Sequence, residues 1–477
     1  MRYHVLINAL ISAFDSCMIA YVLLVQAIFS VFLLYSMRNL RFHSYRMKIK
    51  ELILKNGQGI FPPVSLIVPA YNEEATIVES IKALLRTRYP KFEIIVVNDG
   101  SKDRTTQVLK DAFEMVEIYY NYIKHLETKS IVQVYQSLLH PNVILVDKEN
   151  GGKADAINAG INISRYPLFC VIDADSLLEP DAVLNVVYPF IESRDEVVAT
   201  GGIVRIANGC TVQDGKIVEV RLPENYWAKM QVLEYLRAFL IGRLGLSEIN
   251  SLLIIAGAFG VFRKSAVIEI GGYLTETVGE DMELTVRLQR YRYEHQKNWR
   301  IMFVPDPVCW TLAPEDHETL KRQRHRWHRG LIETLWRHRV MFFNPRYGIV
   351  GMFGMAYFVL IESIGPLVEL AGLGFIVLAY LIGNLNVKLG ALFYAANFVF
   401  GQFISFFSML LEYREFHRYD VRELGKLVYL SFFENVTFHL LTAWWRCVAT
   451  FQVRKYSKQW GDMKRRSFEE SKVHTPS

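Results

Sequence analysis

The chain has 477 residues, 51% hydrophobic and 21% charged, with a net charge of +6. Roughly two or three domains fit in that length, and the balance argues against disorder and against a purely soluble enzyme. A charge this modest and clustered does not by itself call for nucleic acid. The five cysteines, Cys17, Cys170, Cys210, Cys309 and Cys447, include no C-x-x-C pair. They read as buried thiols in a reducing compartment rather than a zinc site or disulfide framework.

The first element is "CMIAYVLLVQAIFSVFLLYSM", Cys17 to Met37, a charge-free run long enough to cross a bilayer core. It is too long for a signal-peptide core, and no small-residue cleavage site follows it. Arg38, Arg41, Arg46, Lys48 and Lys50 come next. The positive-inside rule keeps them cytoplasmic, turns the N-terminus outward, and puts the chain from about Glu51 to Arg339 in the cytoplasm.

That stretch alternates strand and helix signals. "VSLIVPA" from Val64 reads as a buried strand, and "NEEATIVESIKALLR" as a helix with Ile77, Ile81 and Leu84 on one face. "EIIVVNDGS", "VILVD" and "LFCVIDAD" repeat the strand theme, with helices between them such as "GKADAINAGINIS". The region from Glu114 to Pro141 reads as helix-like and carries no chemistry. The β-α order predicts a mostly parallel sheet covered on both faces. Ligands then belong at the carboxyl ends of the strands, where Asn72, Glu73, Asn98, Asp99, Asp173 and Asp175 lie.

Asp173 and Asp175 stand two apart at a strand end, where two carboxylates can hold a hard divalent cation that bridges phosphates. A chain this long contains about one D-x-D by chance, so the motif draws its weight from the buried run before it. Glu280 and Asp281 open an amphipathic helix, where acids complement the dipole; a carboxylate there can also serve as a general base. Further on is "KRQRHRWHRGLI", Lys321 to Ile332. Arg324 and Arg326, with His325 or His328, suit a departing diphosphate, and Trp327 suits a sugar face. A basic amphipathic helix on anionic lipid accounts for the same cluster.

The C-terminal part turns apolar again. "AGLGFIVLAYLIG" from Ala371 and "LGALFYAANFVFGQFISFFSMLL" from Leu389 read as a pair of spans. "IVGMFGMAYFVLIESIG" from Ile349 and "LVYLSFFENVTFHLLTAWW" from Leu427 carry Glu362, Glu434 and His439. They read as interfacial or re-entrant helices. The expectation is three crossings, and five at most.

The motifs "PAYNEE", "VVNDGS", "ENGGKADAIN", "DADS", "GED" and "QRHRW", in this order from Val64 to Gly330, resemble family 2 glycosyltransferases of GT-A fold. Within that family they resemble the membrane-embedded synthases of cellulose, hyaluronan, chitin-like polymers and poly-N-acetylglucosamine. The resemblance implies an α/β, Rossmann-like GT-A cytoplasmic domain with a mixed, mostly parallel sheet, plus transmembrane and interfacial helices. It divides the chain at 1–50 (first span and basic flank), 51–315 (GT-A domain), 316–346 (interfacial helix), 347–455 (membrane helices) and 456–477 (basic tail). Tyr71, Glu73 and Asp99 would contact the uridine of a UDP-sugar, and Lys153 would border the nucleotide. Asp173 and Asp175 would hold the diphosphate and Mg²⁺ or Mn²⁺. Asp281, beside Glu280, would be the base. Gln323, Arg326 and Trp327 would bracket diphosphate and acceptor. Gly257 would belong to the acceptor-side loop, and Trp310 would stack on the acceptor sugar.

The sequence departs from the common family pattern in having Asn98 before Asp99 and Gly279 before Glu280. The implied reaction is an inverting displacement that gives a β linkage, with the polymer leaving through the bilayer. Implied partners are the UDP-sugar, a growing glycan or lipid acceptor, membrane lipids and an accessory export subunit. The implied place is the plasma (inner) membrane, multi-pass, with the catalytic domain cytoplasmic. Two rivals stand beside this: a transferase adding one sugar to a membrane lipid, and an inactive nucleotide-sugar-binding scaffold subunit. A nucleic-acid role is disfavoured because the basic cluster is short and lies beside membrane.

Overall fold

A computed structural model describes residues 2–43, 45, 48, 61–193, 196–213, 215–383, 387–434 and 436–452. Part of the basic flank (Arg46 and Lys50), the start of the expected second domain and the tail 456–477 lie outside the described residues.

The apolar runs form the strands they predict, β1 (Val64–Ala70) and β2 (Phe92–Asn98), both buried almost throughout. Burial on both faces is why these runs show no polar alternation. The other strands are β3 (Met115–Ile118), β4 (Ile131–Ser137), β5 (Val143–Lys148), β6 (Leu168–Ile172), β7 (Ser176–Leu178), β8 (Val197–Ile206), β9 (Thr211–Gln213), β10 (Lys216–Glu219), β11 (Phe259–Arg263) and β12 (Arg300–Thr311). Ten of them form one sheet in the order β3-β4-β5-β2-β1-β6-β11-β8-β12-β7, and β9-β10 is a separate hairpin. The centre, β5-β2-β1-β6, is parallel, and so is β8-β12. The remaining pairings in the sheet are antiparallel.

The helix-like reading of Glu114–Pro141 is overturned. Met115–Ile118 and Ile131–Ser137 pair antiparallel and extend the sheet past β5. The edge of β5 supplies pairing partners for Ile131 and Val134, whose branched side chains suit a pleated surface.

In the α/β domain the helices are α2 (Ile77–Leu85), α3 (Thr105–Phe113), α4 (Lys153–Ile163), α5 (Ala182–Glu192), α6 (Tyr226–Arg237), α7 (Leu244–Glu248), α8 (Lys264–Glu269), α9 (Glu280–Glu294) and α10 (His317–Arg337). Helix α4 lies against β1 and β2, with Gly160 so close to Ile67 that a Cβ would fall 2.4 Å from its Cγ2.

Around the domain stand α1 (Arg2–Arg41), α11 (Val350–Ser363), α12 (Gly365–Leu381), α13 (Val387–Glu415), α14 (Val421–Glu434) and α15 (Phe438–Gln452). Among the described residues, Ile11–Arg41 and Gly390–Glu415 are long and apolar enough to cross a membrane, and the chain is a membrane protein. The run from Ala371 is not a span by itself. It continues α11 across a 43° bend, and the pair makes a third crossing only if counted as one span. Pro366 in the first turn of α12 cannot continue the hydrogen-bond ladder of α11, which favours the break there. At 14 and 15 residues, α14 and α15 fall short of a bilayer core.

Buried ion pairs join the domain to these helices. Arg205 of β8 makes a two-pronged pair with Glu412 of α13 at 2.8 and 2.5 Å, and Arg237 of α6 does the same with Glu434 of α14 at 2.6 and 2.5 Å. Arg205 and Glu412 are 3% and 0% exposed, so neither charge has water to fall back on. Glu412→Ala is expected to cost about 3–5 kcal/mol, because it strands a buried guanidinium. Replacing both partners with Met should cost clearly less. Thermal unfolding in one detergent compares the two variants.

Candidate active site

The carboxyl ends of β1, β2 and β6 converge on a cavity of about 2540 Å³. At the end of β1, Asn72 takes a left-handed backbone (φ 56°), which an Asn tolerates. Its amide N–H is held by Ser101 Oγ, and its Oδ1 accepts from Lys102 N–H. That turn leaves Tyr71 exposed at the rim, and it tucks Glu73 inward, where Thr105 Oγ1 accepts from Glu73 N–H. Both residues line the cavity.

Asp99 follows β2 and is 3% exposed. Its Oδ1 accepts from Lys148 Nζ (2.6 Å) and Gly151 N–H (3.0 Å), and its Oδ2 from Gly152 N–H (2.7 Å). Lys148, fully buried, also pairs with Asp155 at 2.6 Å. Nothing in the sequence singles out Lys148: one lysine closing an apolar strand is a weak signal. Here it locks the Asn150–Gly152 loop onto Asp99.

Strand β6 stops at Ile172, so Asp173 and Asp175 sit on a turn rather than in a continuing strand; both still line the cavity. Lys153, the first residue of α4, reaches Asp173 Oδ1 at 2.5 Å and Glu280 Oε1 at 3.6 Å. Burial alone pulls the Lys153 pKa down, but Asp173, Glu280 and Asp281 outweigh it, and the net shift is upward. Lys153 therefore stays charged and acts as the counter-ion of the acidic cluster. Among the described residues no group of three or more His, Cys, Asp or Glu is arranged to hold a metal ion. Two carboxylates on one turn nevertheless fit Mg²⁺ or Mn²⁺, since such ions use one or two carboxylates and take further ligands from phosphate and water.

Asp281 is fixed from both sides. Its Oδ2 accepts from Gly257 N–H at 3.0 Å, and its Oδ1 from Met282 N–H at 2.8 Å. A Cβ on Gly257 would stand 3.1 Å from Asp281 Oδ2 and 3.3 Å from Lys153 Nζ, so a larger residue would push both groups back by a few tenths of an ångström. Burial raises the Glu280 carboxyl above its ordinary range, with Lys153 opposing and Asp281 adding to the rise. Gly279 also has a structural reason. A Cβ there would lie 2.9 Å from the backbone of Gly330 in α10, so two glycines let the start of α9 meet the basic helix. That contact was invisible in the sequence.

Helix α10 brings Gln323, Arg326 and Trp327 to the cavity wall. The apparent density of free charge on this helix is misleading. Arg324 is consumed by Glu234 at 2.9 and 2.6 Å and stacks 4.5 Å from the Trp327 ring. His328 bonds Thr450 Oγ1 of α15 at 2.9 Å, and burial pushes its pKa down to about 3, with Arg446 and His325 adding to the effect. Both residues line the cavity, already held by these partners. An unfolded chain titrates its histidine at about 6.5. Between that value and about 3 the unfolded chain binds a proton that the folded one refuses. Stability therefore falls on acidification through this window, by about 1.4 kcal/mol per pH unit for one such group. Unfolding of wild type and His328→Gln between about pH 7 and 5 should show the wild type losing more.

One expected acceptor residue is not brought to the site. Trp310 is 1% exposed and packs with Ala83, Leu177, Ala207 and Cys210, its Nε1–H donating to Glu179 Oε1 at 2.8 Å. Pairing of Trp310 with Leu177 across β12 and β7 turns the ring into the core, so it has no free face for a sugar.

From Asp281 and Trp327 the same cavity continues between the apolar helices, past Phe14 and Met18 of α1, Phe375 of α12, and Tyr394 and Asn397 of α13. Gln26 and Asn397 bridge α1 and α13 along it at 2.8 Å.

Residues 62–330 match the model of the family described as glycosyltransferase like family 2. A poly-beta-1,6-N-acetyl-D-glucosamine synthase of Staphylococcus epidermidis is 29% identical over 291 residues, 60% of this chain and 59% of the relative. Its counterpart in Staphylococcus aureus is 30% identical over 57% of this chain and 56% of the relative. The match thus spans less than two thirds of the curated relatives' length. Among solved structures, a mannosyltransferase from Pyrobaculum calidifontis, in complex with GDP-Man and Mn²⁺, covers 92% of this chain and 98% of its own at a TM-score of 0.56 and 18% identity. That likeness shows the fold. The family match over more than half of the chain, on a mixed sheet whose strand ends carry these acids, shows that the chain belongs to glycosyltransferase family 2.

Proposed function

We propose that this chain is an inverting transferase that takes UDP-N-acetylglucosamine and extends a β-linked polymer at the membrane. The observation that carries the reading is the continuity of one cavity from Asp99 and Asp281 to the space between α1, α12 and α13. The nature of the staphylococcal relatives supports the sugar.

In this reading Tyr71, Glu73 and Asp99 hold the uridine, and Lys153 turns from Asp173 toward the donor phosphates. Asp281 removes the proton from the acceptor hydroxyl. The freed oxygen attacks the anomeric carbon from the side opposite the diphosphate, and the sugar–phosphate C–O bond breaks with inversion. UDP carries the electron pair away, met by Lys153 and Arg326, with Gln323 and Trp327 bordering acceptor and diphosphate. Mg²⁺ or Mn²⁺ on Asp173 and Asp175 would neutralise the diphosphate oxygens. Residues 51–315 form the catalytic domain on the cytoplasmic face of a multi-pass plasma-membrane protein, and 316–346 lie along the interface. An accessory subunit extends the export path. The alternative of one sugar added to a membrane lipid draws support from the apolar wall at Phe14, Met18 and Phe375.

UDP release by the purified protein with Mg²⁺ or Mn²⁺ across a panel of UDP-sugars tests the donor. N-acetylglucosamine should give the highest turnover; no turnover with any UDP-sugar contradicts the reading.

A further inference from the structure

Cations along the cavity wall are largely held by carboxylates: Arg237 by Glu434, Arg324 by Glu234, Arg446 by Glu362 and Lys153 by Asp173. Arg243 differs. It lines the same cavity and ends the π-helical stretch Ala238–Arg243 between α6 and α7. Its guanidinium lies 4.3 Å from the Phe239 ring, and its Nη1 is buried with no acceptor. A π-helical turn inserts a residue and re-aims the side chains after it, and such turns concentrate at functional sites. The ionisable groups acting on Arg243 are Asp281, Tyr235 and Glu362. Asp281 and Glu362 line the same cavity, which continues from there toward the membrane helices.

A buried guanidinium N–H without an acceptor is costly unless a ligand supplies one. The surroundings select the ligand's chemistry. An anion at Arg243 would be repelled by Asp281 and Glu362 of the same cavity, whereas a neutral oxygen would not. We propose that Arg243 is an acceptor-binding residue. Its N–H groups donate to hydroxyl or amide-carbonyl oxygens of a neutral acceptor sugar, holding the attacking hydroxyl at Asp281.

This inference rests on the transferase reading, and its test separates the two. Wild type, Arg243→Gln and Arg243→Lys are assayed with UDP-N-acetylglucosamine and a short β-1,6-linked N-acetylglucosamine oligomer as acceptor. Sugar transfer and donor hydrolysis by water are followed together. Arg243→Gln should raise the acceptor KM about tenfold, as expected for one lost charge-assisted hydrogen bond. The donor KM should move by less than about twofold, and a larger share of donor should be lost to water. Arg243→Lys keeps the charge and should recover part of the acceptor affinity; it also serves if the Gln variant does not fold. An acceptor KM and transfer-to-hydrolysis ratio equal to wild type in a folded variant overturns the proposal. So does an oligomer ending in an acidic sugar that outcompetes the neutral one. Failure of the wild type to turn over any UDP-sugar overturns the functional reading, and this one with it.

Discussion

Asp281→Asn is expected to lower kcat for sugar transfer by about 10³-fold, the share a positioned general base supplies. The substitution keeps the shape of the side chain and one acceptor oxygen for Gly257 N–H or Met282 N–H, so the loop and the start of α9 should stay in place. What it removes is the ability to take a proton. Donor affinity should hardly change, because the donor contacts proposed here belong to Tyr71, Glu73, Asp99 and Asp173. Measuring kcat and donor KM side by side checks both halves. A parallel rise in donor KM would mean that Asp281 is structural.

The second large effect concerns the cation. Chelation should bring transfer to background, and Mg²⁺ or Mn²⁺ should restore it. Asp175→Asn should leave transfer down by at least about 10²-fold at any attainable metal concentration, since electrostatic help to a leaving diphosphate is worth several kcal/mol. The structure adds a detail to this expectation. Lys153 Nζ occupies one oxygen of Asp173. Lys153→Met should therefore change the binding of Mn²⁺ in the absence of nucleotide, read by titration and not by activity.

Much of the site was legible because its chemistry is local. The acids follow buried β-branched runs, and a strand ends where its apolar run ends, so Asp99 and Asp173 declared their position. Asp281 declared itself by opening a helix. What the sequence hid depends on pairing between distant segments. Trp310 looked like a sugar platform until its strand partner was known; opposite Leu177 it can only be core. The basic helix looked like a field of free charge, yet Glu234 and burial remove Arg324 and His328 from it. Lys148 and the Gly279–Gly330 contact have no sequence signature, because each is defined by a partner far along the chain. The strands β3 and β4 were missed for a similar reason, since the sheet edge that recruits them is built elsewhere. The fold of the centre was plain, whereas the number of crossings was not, because a Pro at a helix start turns two apolar runs into one bent pair.

If the site opens into a path between α1, α12 and α13 along which a polymer leaves, the length of the product will show it. The measurement that tests it most directly is the size distribution of the radiolabelled product made from UDP-N-acetylglucosamine in lipid nanodiscs, sampled while most enzyme molecules have started only once. Long chains are expected from the earliest time points, with few short intermediates. A product confined to a single sugar on a lipid would contradict it and give the cavity to a lipid acceptor instead.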